Sequence, residues 1–112
     1  MNIPEEAHLL RIFVGESDKH GHIPLYEAIV VKARESGLAG ATVLRGVMGF
    51  GRHSVMHTAK ILRLSEDLPM VVEIVDAPEK IESFLRVLDG MIQDGLVTTQ
   101  PVRLIQYRSG NP

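Results

Sequence analysis

The chain has 112 residues, 45% of them hydrophobic, and its 12 Lys plus Arg against 14 Asp plus Glu give a formal charge of −2. Val, Ile and Leu number 33, enough to build one real core, which excludes a disordered chain. Zero Cys excludes disulfides, thiolate metal sites and Cys nucleophiles; no apolar run reaches eighteen residues and MNIPEE lacks the features of a signal peptide, so neither membrane insertion nor export is expected and a cytoplasmic location fits.

In chain order, residues 8–14 (HLLRIFV) alternate, with Leu10, Ile12 and Val14 on one face and Leu9, Arg11 and Phe13 on the other, which predicts a strand with one face in the core. Pro24 suits a first helical turn; Tyr26, Ile29, Val30 and Ala33 keep helical spacing and Gly37 can stop it, predicting a helix over 24–36. The β-branched residues of 41–47 predict a strand. Residues 50–59 have no clean period and read as an irregular loop, while KILRL at 60–64 reads as a short strand. MVVEIV at 70–75 predicts a strand buried on most of its surface. Asp76 three residues before Glu79 resembles a capping box, and Ile81, Phe84, Leu85, Leu88, Met91 and Ile92 predict a helix that ends at Gly95. Residues 96–107 supply one or two final strands around Pro101.

The order β-α-β-loop-β-α-β predicts an α+β fold. Its economical form is a ferredoxin-like βαββαβ sandwich: a four-stranded antiparallel sheet with two helices on one face and a short extra strand. A single domain is expected over 1–112, with a mobile loop at about 50–65. The other sheet face would expose Leu9 and Phe13, so self-association is expected.

Charge is unevenly spread. The thirty residues Ser36–Ser65 contain no Asp or Glu but hold Arg45, Arg52, Lys60 and Arg63, whereas the rest of the chain carries 8 basic and 14 acidic residues. The overall acidity argues against a nucleic-acid partner and leaves room for one small anion. Within that segment Gly46-Val47-Met48-Gly49-Phe50-Gly51-Arg52 combines glycines, whose amides can approach a ligand, with a guanidinium suited to phosphate oxygens. The same glycines could equally turn the chain, and no Walker loop is present, since neither Lys-Ser nor Lys-Thr follows.

Five histidines raise a metal reading: His20 and His22 flank Gly21, and His53 and His57 stand four apart, but no nearby carboxylate completes a shell and no metal site is assigned. Glu16, Asp18, Glu66, Asp67 and Glu73 are candidate acids without paired spacing, so no catalytic residue is assigned and an enzyme is not expected. Glu73 interrupts an apolar strand. It must find a donor, such as a ligand hydroxyl, a base amine or an Arg of a neighbouring subunit, or else face solvent.

Several motifs together resemble the PII-like proteins of the domain of unknown function 190 family: Phe13-Val14-Gly15-Glu16-Ser17-Asp18, Pro24-Leu25-Tyr26-Glu27, the run Gly40 to Gly51, and Leu64-Ser65-Glu66-Asp67-Leu68-Pro69 leading into Glu73-Ile74-Val75-Asp76. More distantly, Gly49-Phe50-Gly51-Arg52 with His57-Thr58 is similar to the start of the T-loop of PII nitrogen-regulatory signal transducers, and Val72-Glu73-Ile74-Val75 to the strand that follows it. The resemblance implies a homotrimer, a nucleotide between subunits and a mobile loop that reports ligand state to a protein partner such as a transporter. By position it implies nucleotide contacts from Thr42, Gly49, Gly51, Arg52, Glu73, Ile74 and Val75, with loop or phosphate contacts from Arg45, His57 and Lys60. The chain departs from the PII pattern after the second helix, where Gln93-Asp94-Gly95-Leu96-Val97-Thr98 has one glycine and no lysine. That departure favours AMP or ADP over ATP as the ligand, with no tightly bound cofactor. Two alternatives belong to other classes: a trimeric divalent-metal binder similar to the CutA ion-tolerance proteins, using His20, His22, His53 or His57, and a structural adaptor that docks on a transport protein without nucleotide.

Overall fold

The structure, a computed structural model, describes residues 5–51, 56–58 and 67–110. The alternation of residues 8–14 becomes β1 (Glu6–Gly15), with Leu10, Ile12 and Val14 buried and Leu9, Arg11 and Phe13 partly exposed. A small hairpin follows, β2 (Lys19–His20) against β3 (Ile23–Pro24), turning at Gly21 with φ +64°. Helix α1 (Leu25–Glu35) buries Leu25, Ala28, Ile29 and Ala33. It ends in a Schellman motif: Gly37, at φ +78°, donates its N–H to the Arg34 carbonyl (3.1 Å) and Leu38 donates to that of Ala33 (3.1 Å).

The strand expected over 41–47 is shorter, β4 (Thr42–Arg45), and is followed by β5 (Met48–Gly49), which pairs with β6 (His57–Thr58). The short strand expected at 60–64 lies outside the described residues. β7 (Pro69–Asp76), expected to be buried on most of its surface, instead alternates, burying Met70, Val72, Ile74 and Asp76 and leaving Val71, Glu73 and Val75 half-buried on the uncovered face. α2 (Pro78–Asp89) buries Ile81, Phe84 and Leu88. β8 (Leu96–Arg103) closes the order as one strand, with Pro101 opposite His8.

Two boundary expectations are corrected. Asp76 does not cap α2, because Pro78 takes the first helical position and the cap falls on Ala77. The Asp76 side chain, 1% exposed, instead accepts the Ala77 N–H on Oδ1 (2.7 Å) and the Ala39 N–H on Oδ2 (2.9 Å), joining the start of α2 to the connection between α1 and β4. α2 also stops at Asp89 rather than at Gly95. Gly90, Met91 and Ile92 turn back with their N–H groups on the carbonyls of Val87 and Leu88, while Met91 and Ile92 still pack on the core.

The sheet order is β4-β7-β1-β8 with every pairing antiparallel, the ferredoxin-like βαββαβ arrangement, and both helices cover one face. On the other face the register sets Leu9 opposite Val75, Arg11 opposite Glu73 and Phe13 opposite Val71, with Thr42 and Leu44 of β4 alongside Glu73 and Val71. No described element covers that face.

Candidate functional site

At the end of the sheet where β1 finishes and β7 and β8 begin, a cleft of about 560 Å³ opens between three stretches of chain: Val14–Gly15, Gly49–Gly51 and Gln93–Leu96. Phe13, Phe50, Pro69 and Leu96 give it apolar walls, and three carboxylates, Asp18, Asp67 and Asp94, enter its lining. The glycines have separate reasons to be there. A Cβ on Gly46 would lie only 2.8 Å from the Pro69 ring, so packing on Pro69 calls for a glycine there; one on Gly49 would lie 3.1 Å from the same ring, a tight fit, whereas Gly51 has open space around it. A Cβ on Gly95 would lie 2.8 Å from the Phe13 carbonyl oxygen. The Gly95→Ala variant is therefore expected to lose about 1–3 kcal/mol of stability, read by thermal or denaturant unfolding, since a backbone atom cannot step aside as a side chain can.

The residues singled out by sequence divide into two groups. Gly49 and Gly51 line the cleft together with Phe50. Thr42, Glu73 and Val75 lie instead on the open sheet face, and within one subunit they do not line that cleft. Ile74 is 1% exposed and faces the core beneath the helices, so within one subunit it offers a ligand no surface. Arg52 and Lys60 lie outside the described residues, and His57 is placed only as a backbone pair of Gly49. Glu73 finds its donor within the same chain: Arg11 Nε donates to Oε2 at 3.0 Å, and the Arg11 guanidinium lies 5.3 Å from the centre of the Phe13 ring. Arg45 is held by a two-point fork on Glu16, from Nε to Oε2 and Nη2 to Oε1, both 3.0 Å.

Sequence reasoning missed the carboxylate lining and the role of the turn after β1. Asp67 accepts the Ser17 N–H on Oδ1 at 2.7 Å across fifty positions of sequence, and Asp18 accepts the Gly15 N–H at 2.9 Å. Both acids stand in motifs that were visible as motifs, but no local spacing pairs them. Among the described residues no group of three or more His, Cys, Asp or Glu is arranged to hold a metal ion, with His20 and His22 set apart on the β2–β3 hairpin. None of the described helices is long and apolar enough to cross a membrane.

The fold is that of PII-like proteins. The solved structure of CPII, a nitrogen regulatory PII-like protein from Thiomonas intermedia K12 bound to ADP, AMP and bicarbonate, superposes with a TM-score of 0.69 at 17% identity over 90% of each chain. The B. subtilis GlnK–ATP complex matches at 0.57 and 8% identity over 90% of this chain and 85% of that one. CutA from Synechococcus elongatus PCC7942, complexed with Bis-Tris, matches at 0.56 and 13% identity over 93% and 85%. In sequence, residues 7–104 match the model of domain of unknown function 190, described as uncharacterized ACR, COG1993, and a UPF0166 protein of Aquifex aeolicus is 40% identical over 97 residues, 87% of this chain and 91% of that protein. The chain belongs to the domain of unknown function 190 family.

Proposed function

We propose that this protein is a PII-like regulatory protein, not an enzyme, that binds an adenine nucleotide at the cleft beside Gly49–Gly51 in a homotrimer and signals its occupancy to a protein partner. The observation that carries the reading is the cleft itself: aromatic and apolar walls for a base, and glycine-rich backbone from two separate loops at its rim. The bound ADP and AMP of the structurally similar CPII support the ligand class. The open sheet face supports assembly, and a neighbouring subunit is what would bring Thr42, Glu73 and Val75 toward a shared ligand. Exposed Val47, Met48, Phe50 and Met56 near the cleft supply apolar area for a partner to contact.

Electrostatics refine the ligand. Asp18, Asp67 and Asp94 line the cleft, while Arg45, the one cation of the acid-free segment among the described residues, is engaged by the Glu16 carboxylate. Each added phosphate meets the same carboxylates, so AMP and ADP are favoured over ATP. Calorimetry with AMP, ADP and ATP on the folded protein tests this: tighter binding of the mono- and diphosphate is expected, and no heat with any nucleotide overturns the reading. The Arg52→Ala variant is expected to weaken ADP binding by about 1.5–3 kcal/mol, the size of a lost charged hydrogen bond, in the same titration.

A further inference from the structure

In the motif Gly15-Glu16-Ser17-Asp18, Glu16 and Ser17 have no role in the nucleotide reading, yet polar contacts from distant parts of the chain converge on them. The turn's backbone is held from within by the Gly15 N–H on Asp18 Oδ2 (2.9 Å) and the Asp18 N–H on the Gly15 carbonyl (3.2 Å), and from the start of α1 by the Leu25 N–H on the Asp18 carbonyl (2.7 Å). From it, contacts reach two stretches that sit some twenty residues apart in sequence. Toward Arg45, where β4 hands over to Gly46, the Glu16 carboxylate takes both arms of the guanidinium fork. Toward the start of β7, the Glu16 N–H donates to the Leu68 carbonyl (2.9 Å) and the Ser17 N–H donates to Asp67 Oδ1 (2.7 Å). Those two stretches also meet each other, through the Gly46 N–H on the Pro69 carbonyl at 2.7 Å.

The turn also packs closely on Asp67. Gly15 lacks a side chain where the Asp67 carboxylate sits, and a Cβ there would lie 2.8 Å from Oδ1. Gly15, Asp18 and Asp67 are at the same time part of the cleft lining. One turn thus forms a wall of the cleft and fastens the chain on both sides of the segment between Gly46 and Asp67.

We infer that the Gly15–Asp18 turn is a clasp: it couples occupancy of the cleft to the positions of the Arg45–Gly46 and Asp67–Pro69 stems, with Glu16 and Asp67 as the positioning residues that fasten it. The coupling to occupancy rests on the nucleotide reading above; the fastening of the stems does not. A ligand that presses on Gly15 or Asp18 shifts the acceptors of both stems together, because the charged fork and the short Ser17–Asp67 bond leave the turn little freedom to move alone.

Hydrogen–deuterium exchange on the full chain separates the two parts. Without nucleotide, the Glu16→Ala and Asp67→Ala variants are expected to exchange the amides of Glu16, Ser17 and Gly46 at least tenfold faster than the parent protein, with α1 and α2 unchanged. Asp67→Asn, which keeps an acceptor for the Ser17 N–H, is expected to restore Ser17 protection. Rates within twofold of the parent at all three amides overturn the clasp. With ADP added, the Ser17 and Gly46 amides of the parent protein are expected to slow together, and this joint slowing is lost in Asp67→Ala. ADP that binds without slowing either amide overturns the coupling. Absence of ADP binding overturns the nucleotide reading and the coupling with it, while the nucleotide-free rates still decide the fastening of the stems.

Discussion

Replacing Asp76 by alanine is expected to lower the unfolding free energy by about 2–4 kcal/mol, measured by denaturant titration with far-UV detection. The side chain is 1% exposed and is the acceptor for two backbone donors, Ala77 at 2.7 Å and Ala39 at 2.9 Å. Truncation leaves the buried Ala77 N–H without a partner, at about 1–3 kcal/mol for a buried group left unsatisfied, and removes the acceptor of the half-buried Ala39 N–H, at about 0.5–1.5 kcal/mol for a lost hydrogen bond. Asparagine keeps one acceptor and turns an N–H₂ toward the other donor, so Asp76→Asn is expected to fall between the parent and the alanine variant. Equal stability of Asp76→Ala and the parent would show that this link between α2 and the α1–β4 connection contributes nothing.

The second large effect is expected on assembly. The uncovered sheet face presents Leu9, Phe13, Leu44, Val71 and Val75 around the Arg11–Glu73 ion pair, whose side chains are 39% and 30% exposed. Leu9 stands at the middle of β1 on that face, opposite Val75. In an isolated subunit a carboxylate at this position stays wet and costs little. In an assembly that covers the face it becomes a buried charge without a partner, worth about 3–5 kcal/mol. The Leu9→Glu variant is therefore expected to sediment as a monomer at concentrations where the parent protein is associated, with an unchanged far-UV spectrum. An associated Leu9→Glu protein, or a monomeric parent, would remove the sheet face as the interface.

Much of the fold was legible because its elements are strongly periodic. The alternation in β1 and the helical spacing of Ile81, Phe84 and Leu88 each place apolar side chains on one face, and tertiary packing agrees with that local pattern. The element ends were less legible. Asp76 three residues before Glu79 has the form of a capping box, but Pro78 moves the helix start by one residue and frees the carboxylate to bridge two segments 37 positions apart. The helix pattern continues through Met91 and Ile92 because those side chains pack on the core after the helix has ended.

The candidate site was legible only in part, for a physical reason. Gly49 and Gly51 announce themselves by composition, yet the close approach of Gly46 and Gly49 to Pro69, some twenty residues on, is invisible in sequence. Glu73 was recognisable as a carboxylate that required a donor. Its donor, Arg11, is set by the antiparallel register of β1 against β7, a contact across 62 positions that no local spacing encodes. The carboxylate lining of the cleft is hidden for the same reason, since Asp18, Asp67 and Asp94 come from three separate connections.

The edge strand β8 bears on how the molecule comes apart. It is bonded to β1 along its length, yet seven of its eight residues are exposed and only Val102 is half-buried, so little apolar burial accompanies its attachment. β4, β7 and β1 share their core face with both helices, and β8 does not. Its hydrogen bonds are held mainly by the backbone ladder, which places it at the low-stability end of the structure. Release of this strand would expose the outer edge of β1 and the Phe13 side of the cleft while the remaining layers stay folded, giving the protein a partly open state well below the free energy of global unfolding.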